Sequence, residues 1–416
     1  MCYDILNKGE RVMKLRYFDN AATTRTKDEV LKEMLPYFCE KYGNASSLYS
    51  IGRISKKAVD VARRKVAELI NCSPSEIYFT GGGSESDNTI IKGIAYTNKN
   101  RGKHIITSKI EHPAVLNTCK TLEKQGFEVS YINVNKDGFL DINELRNSIR
   151  NDTILISIMF ANNEIGTIQP IQEISKIAKM YNIIFHTDAV QACGNIPIDV
   201  KEMGIDCLSL SGHKLYAPKG IGALYVKNDI EFEKFIDGGH QEKDKRAGTE
   251  NVPGIVGLGK ACELANTNLQ AHIKHLEDLR NYFATEVQKR IKFVKLNGSL
   301  ENRLPGNCNF SFSFVDGQSL VLNLDAKGIC TSSGSACTSG STSPSHVLKA
   351  IGLSDELARN SLRVTFGEEN TKEDVDYLLE NLEEAVKRLR NMSPEYNNII
   401  KKRKVNICII KINVTR

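Results

Sequence analysis

Apolar residues recur at helical spacing from Lys27 to Tyr42, through Val30, Leu31, Met34, Leu35 and Phe38, and the run stops at Gly43, a residue suited to a helix C-terminus. A small polar loop, Asn44-Ala-Ser46-Ser47, precedes a longer amphipathic pattern from Ile54 to Ile70, with Val59, Ala62, Val66, Leu69 and Ile70 on one face. From Glu76 the pattern changes to short apolar runs alternating with helical stretches, which is the mark of βαβ units and a parallel sheet. The spacing predicts strands over 76–80, 104–107, 127–134, 153–161, 183–185, 207–211 and 222–226. Helices are predicted over 85–96, from Pro113, and over 171–181. The second half predicts a helix over 261–287, a strand over 309–314, a helix over 318–325 and a last helix from Thr371, its N-cap, to Met392. This is an α/β chain of two domains: a large one over 24–270, and a smaller α/β one made of 13–23 and 271–395.

Several predicted strands end in residues able to do chemistry, and parallel strands put such ends along one edge of a sheet, where open α/β folds hold their ligands. Gly81-Gly-Gly83-Ser84 opens a helix and offers backbone N–H groups to a phosphate. No lysine follows those glycines, so this is not a Walker loop. His112 stands before Pro113, Asn163 follows the run at 153–161, and Asp188 and Gln191 follow the buried run at 183–185. Cys207-Leu-Ser-Leu-Ser211-Gly-His213-Lys214 breaks at Ser-Gly and presents Lys214 with Ser211 and His213 beside it. Each residue taken alone reads as an ordinary cap or surface group. Together they suit pyridoxal phosphate. A lysine held against apolar walls forms a Schiff base with an aldehyde, and an aspartate pairs with a protonated pyridine nitrogen. A histidine can stack on the ring, and neutral amides can reach its hydroxyl.

Charge changes this picture little. The net charge of +6 is accounted for by the segment from Tyr396 onward, which contains Lys401, Lys402, Arg403, Lys404, Lys411 and Arg416 and no acid. The body is therefore neutral overall, which argues against direct nucleic-acid binding, and the tail over 396–416 reads as a disordered basic end. Eleven cysteines without a Cys-x-x-Cys pair suit free thiols in a reducing cytosol better than a disulfide framework or a structural metal site. No apolar run reaches membrane-spanning length, and residues 1–13 lack periodicity, which leaves Met13 as an alternative start.

One stretch does not fit a core at all: Gly328-Ile-Cys330-Thr-Ser-Ser-Gly-Ser-Ala-Cys337-Thr-Ser-Gly-Ser-Thr-Ser-Pro344. Its Ser/Gly richness predicts mobility, which makes Cys337 a candidate reactive thiol, whereas Cys330 follows apolar residues and reads as structural. The Gly-rich segment from Gly238, with Arg246-Ala-Gly-Thr249, reads as a long loop able to close a site from outside.

With these residues in place the chain resembles the cysteine desulfurases of the NifS/IscS-like branch of the class V aminotransferase family. The resemblance runs from about Leu15 to about Tyr396 and rests on Tyr17-Phe-Asp-Asn-Ala-Ala-Thr-Thr24, Glu85-Ser-Asp-Asn88, Asn162-Asn-Glu-Ile-Gly166, His186-Thr-Asp188, Ser211-Gly-His-Lys214, Arg246-Ala-Gly-Thr249 and Ser332-Ser-Gly-Ser-Ala-Cys337-Thr-Ser. It implies the pyridoxal-phosphate-dependent transferase fold of type I, with a mainly parallel seven-stranded sheet in the large domain. It implies that Lys214 holds the cofactor, that Asp188 meets its nitrogen, and that Gly83, Ser84, Ser211 and His213 bind its phosphate. Thr249 would reach the phosphate of the other subunit of a homodimer, and Arg363 with Asn163 would clamp the substrate carboxylate. Catalysis would fall to Cys337, Lys214 and His112. The Cys337 thiolate takes sulfur from L-cysteine, alanine leaves, and the persulfide goes to a sulfur acceptor or an iron–sulfur scaffold protein. No metal is expected in the resting enzyme, although Cys337 can serve a cluster on the scaffold. An aminotransferase of the same fold would have no use for that cysteine, and a selenocysteine lyase would carry it in a short His-rich setting. The chain departs from the usual pattern at Gly82-Gly83-Ser84 (usually Gly-Ala-Thr), Ala45, Tyr49, His240, Glu368 and the tail.

Overall fold

The computed structural model describes residues 14–333 and 343–400, which divide into two compact units. Of the described residues, the larger contains Asn20–His275 and Gly298–Pro305, and the smaller contains 14–19, Leu276–Asn297 and those from Gly306 onward. The short return of 298–305 to the larger unit was not legible as a boundary. It is fixed by backbone hydrogen bonds, Ile168 N–H to Asn302 and Leu304 N–H to Gly166, each 2.8 Å.

Strand alternation builds the larger unit. Along Cys207–Ser211, Leu208 and Leu210 join one apolar layer, while Cys207 joins the layer on the opposite face. Both faces are covered, so every residue of this strand is buried. The sheet has seven strands in the spatial order Ile77–Thr80, Gly222–Val226, Cys207–Ser211, Ile184–Asp188, Thr153–Ser157, His104–Ser108 and Glu128–Ile132. All run parallel except Gly222–Val226, which pairs antiparallel with both neighbours. The carboxyl ends of the parallel strands therefore share one edge, as the sequence pattern predicts. Gly222 begins the return strand there, where an added Cβ would lie 2.7 Å from Gly82 Cα, so the close approach requires glycine.

Several helices depart from the pattern for identifiable reasons. The predicted 27–42 helix is two pieces, Asp28–Met34 and Pro36–Cys39, because Pro36 lacks an N–H and starts a new helix at its first position. The amphipathic helix begins earlier, at Ser50, and ends at Leu69. The helix expected from Ala261 begins at Val252 and reaches Arg290, passing through Gly257 and Gly259. Added Cβ atoms at those glycines would meet Met34 Sδ and Ala62 Cα, both at 2.6 Å, so close packing keeps residues that local propensity disfavours.

The smaller unit holds a three-stranded antiparallel sheet, Val294–Leu296, Asn307–Phe312 and Ser361–Thr365, with Asn307–Phe312 central. Arg16–Tyr17 pairs in parallel with Ile329–Cys330. Phe18, Phe283, Phe310, Phe312 and Leu379 fill its core. Thr371 caps Lys372–Met392 in a reciprocal capping box with Asp374. Helical structure resumes over 394–400, where disorder is expected from sequence, because Tyr396 packs against Phe293 and Phe314. The rest of the basic tail lies outside the described residues.

Candidate functional site

The strand Ile77–Thr80 turns through Gly81 and Gly82 into the helix Gly83–Thr97. Gly82 adopts φ 149°, a conformation that favours glycine, and no side chain caps the helix N-terminus. The first N–H groups of the helix thus form an anion cradle, with the Ser84 and Ser211 hydroxyls nearby in sequence and space. An added Cβ on Gly83 would lie 2.6 Å from Val190 Cγ2 and 3.5 Å from Ser211 Cβ. The glycine thereby ties the cradle to the Asp188 loop. Gly83→Ala is expected to lower stability by about 1–3 kcal/mol, the usual cost of an extra methyl in a filled site. A paired Val190→Ala should recover most of the lost Tm. An unchanged Tm in the single variant would show that Val190 yields without cost.

Lys214 closes the one-turn helix Gly212–Lys214 directly after the strand Cys207–Ser211. Its Nζ donates to the carbonyls of Ala21 (2.5 Å) and Ala22 (2.7 Å). Gln191 Nε2 donates to the same Ala21 carbonyl at 3.1 Å, so the turn Asn20–Thr24 gathers both residues. That turn is itself pinned: Thr24 N–H donates to the His213 carbonyl at 2.8 Å, and Thr23 Oγ1 lies 3.2 Å from His213 Nδ1. Burial, then the Lys214 and Lys219 charges, push His213 down to about 4, so it is neutral at pH 7.

Asp188 ends its strand buried, with Oδ1 accepting from the Val190 N–H at 2.9 Å. Burial pushes its carboxyl up, and the charges of His112 and Lys214 and the Val190 hydrogen bond pull it down. A buried carboxylate that leans on nearby cations calls for a cationic partner. His112 is the N-cap of Pro113–Glu123, its Nδ1 accepting from the Ala114 N–H at 3.1 Å. The cap thus orients the ring through Nδ1. The bland and the functional readings of His112 are compatible.

Sequence reading missed a set of buried polar residues behind these. Glu111 Oε1 accepts from Ser108 Oγ at 2.5 Å and the Met159 N–H at 2.9 Å, and burial pushes it up to about 8. Asn162 Nδ2 donates to the Ile110 carbonyl at 2.9 Å. These bonds clasp the loop carrying His112 to the loop carrying Asn163. Asp87 and His186 are also fully buried, although Asp87 sits in a polar run that reads as a solvent face. The available signal was position: His186 lies two residues before Asp188, on the same strand face.

The remaining expected residues are not all brought together. Asn163 is half-buried in the loop after Thr153–Ser157. Thr249 is exposed. Arg363 belongs to the smaller unit, where it is 2% exposed and its Nη2 donates to Asp19 Oδ1 at 2.8 Å. Cys337 lies outside the described residues. Cys330, half-buried in its strand, has its thiol pushed up by burial, which suits the structural reading.

An uncapped helix N-terminus, a lysine amine and a buried aspartate on one sheet edge fit the phosphate, aldehyde and ring nitrogen of pyridoxal phosphate. Among the described residues no group of His, Cys, Asp and Glu could hold a metal ion, and no helix is long and apolar enough to cross a membrane. Residues 16–378 match the family model Aminotransferase class-V. A cysteine desulfurase IscS of Clostridium botulinum is 54% identical over 387 residues, covering 92% of this chain and 98% of its own. One of Methanosarcina thermophila is 55% identical over 390 residues, with coverages of 93% and 96%. A solved structure of a NifS-like protein superposes with TM-score 0.85 at 39% identity, over 90% of this chain and 99% of that one.

Proposed function

We propose, for a chain that belongs to the aminotransferase class V family and is a pyridoxal-phosphate-dependent cysteine desulfurase, a specific set of residues for its chemistry and a wider setting for its product. The observation that carries the assignment is the common edge at which the helix N-terminus at Gly83, the buried Asp188 and the amine of Lys214 meet. Bound pyridoxal phosphate supplies an electron sink for the substrate's carbon skeleton. Lys214 is the residue that holds it. The Gly83 N–H, Ser84, Ser211 and His213 take its phosphate; a neutral His213 serves as a hydrogen-bond partner rather than a charge. Asp188 accepts the ring N–H. Gln191 and Asn163 address the ring hydroxyl, and His112, oriented by its cap, covers the ring and moves protons at Nε2.

Arg363 is the residue proposed for the carboxylate of L-cysteine, since a guanidinium fork matches it in two bonds. The Cys337 thiolate forms a bond to the substrate sulfur as the carbon–sulfur bond breaks. The released electron pair stays with the carbon skeleton, which takes a proton to become alanine. The outer sulfur stays on Cys337 as a persulfide for an acceptor in iron–sulfur cluster assembly or tRNA thiolation. Incubation with L-cysteine and a thiol reductant should give alanine and sulfide in equal amounts. Alanine formed only when a keto acid is supplied would point to transamination and remove this reading.

The exposed Thr249 supports a homodimer in which it serves the neighbouring subunit's phosphate site. Sedimentation of an active monomer would contradict that. The eight described cysteines are free thiols, which suits a reducing cytoplasm, and fractionation to an oxidising compartment would overturn the placement.

A further inference from the structure

The strand Ile77–Thr80 lies at one end of the seven-stranded sheet, paired on its inner side with Gly222–Val226. An edge strand presents backbone groups at alternate residues on its outer side. Here three side chains take them. Arg63 Nη1 donates to the Ile77 carbonyl at 2.7 Å, Glu242 Oε2 accepts from the Phe79 N–H at 2.9 Å, and Glu85 Oε2 accepts from the Gly81 N–H at 2.8 Å. Each carboxylate also grips an arginine. Glu242 pairs with Arg63 in two bonds of 2.6 and 2.7 Å, and Glu85 accepts from Arg246 Nε at 2.8 Å and Nη2 at 3.3 Å.

These pairs fix the loop over 238–250 near its start and near its end. Glu242, Lys243 and Asp244 adopt φ of 46°, 58° and 64°, a left-handed run that is costly for residues other than glycine, and the buried Arg63 pair holds its first member. Beyond the run the loop folds back, with the Gly248 N–H donating to Gln241 Oε1 at 3.0 Å. Arg246 stands three residues before Thr249, and Glu85 two residues after Gly83. One carboxylate therefore joins the turn of the anion cradle to the Thr249 end of the loop. Arg246 also neutralises Glu85, the acid in the first turn of that helix, so no bare carboxylate competes with an anion for the N-terminus. An added Cβ on Gly81 would lie 2.7 Å from Glu85 Oε2, so the turn keeps a glycine where the carboxylate passes.

We propose that Glu85 is a positioning residue for the reaction: by holding the Gly81 N–H and Arg246 together it sets Thr249 relative to the cradle of its own subunit. Each subunit's cradle turn and the Thr249 it offers its neighbour then behave as one piece. The effect on the neighbour rests on the assignment of Thr249 to that subunit's phosphate site; the hold on the loop does not.

Hydrogen exchange of the full chain, with and without pyridoxal phosphate, reads the hold. In Glu85→Gln a neutral amide replaces the carboxylate between two donors, so peptides covering 245–249 should exchange about tenfold faster or more, the usual effect of losing a charged hydrogen bond. Gly81→Ala crowds the carboxylate without removing its charge; it should show the same pattern, and it decides should Glu85→Gln not fold. Mixed dimers read the consequence. One subunit carries Lys214→Ala, so the covalently held cofactor sits in its partner, and its release is followed as loss of the visible band during dialysis. Placed on the Lys214→Ala subunit, Thr249→Ala should speed that release by about tenfold and Glu85→Gln by about threefold or more, as for loss or loosening of one bond to a charged phosphate. A Glu85 that merely stabilised its own subunit would not act across the dimer. Unchanged exchange over 245–249 in both variants would overturn the proposal, as would release unmoved by Glu85→Gln where Thr249→Ala speeds it. Release unmoved by Thr249→Ala itself would instead remove the Thr249 assignment, and the exchange result would still decide whether Glu85 holds the loop.

Discussion

Cys337→Ala is expected to form alanine slower than wild type by on the order of 10³-fold or more, while still binding pyridoxal phosphate and L-cysteine. The substitution removes one sulfur atom from a Ser/Gly-rich stretch and leaves the side chains of Lys214, Asp188 and Ser211 as they are, so cofactor binding and sulfur abstraction should separate. Cys330→Ala is the internal control. Its thiol is half-buried and pushed up by burial, the opposite of an activated nucleophile, so turnover should change little. Stopped-flow absorbance with L-cysteine reads the binding step, and single-turnover alanine formation reads the transfer. Near-wild-type alanine formation by Cys337→Ala would remove the proposed nucleophile.

Lys214→Ala should lose the covalent cofactor linkage and fall in activity by a similar order, about 10³-fold or more. The turn Asn20–Thr24 keeps its bonds to His213, and Gln191 still reaches Ala21, so folding should survive at a cost of about 1–2 kcal/mol for the two lost amine hydrogen bonds. The cofactor should then wash out on dialysis and borohydride should fix none of it to the chain. Reduction that labels a different lysine would refute the assignment of Lys214.

Much of this site was legible because period-two alternation reveals buried strands, and parallel strands align their ends. Ser84, His112, Asn163, Asp188 and Lys214 each follow a run whose apolar pattern ends abruptly. The residues that position them were not legible. Asp87 and Glu111 are charged types, and sequence periodicity reads such residues as solvated, yet both are buried, and Glu111 is held by the Met159 N–H, distant in sequence, as well as by the nearby Ser108 hydroxyl. The strand Ser361–Thr365, which carries Arg363, was missed because its burial comes from pairing with Asn307–Phe312 rather than from a long apolar run of its own. The early start of the helix at Val252 was hidden by Pro253, Gly254, Gly257 and Gly259; Pro253 sits in the first turn, where it is tolerated, and close packing against Met34 and Ala62 favours Gly257 and Gly259.

The central claim is that sulfur leaves L-cysteine for the thiol of Cys337. Peptide-mapping mass spectrometry after one turnover with L-cysteine, before any reductant is added, reads this directly. The account predicts one extra sulfur atom on the peptide containing Cys337 and none in Cys337→Ala. An extra sulfur mapped to Cys330 or another cysteine, or alanine formed with no sulfur retained on the chain, would contradict it.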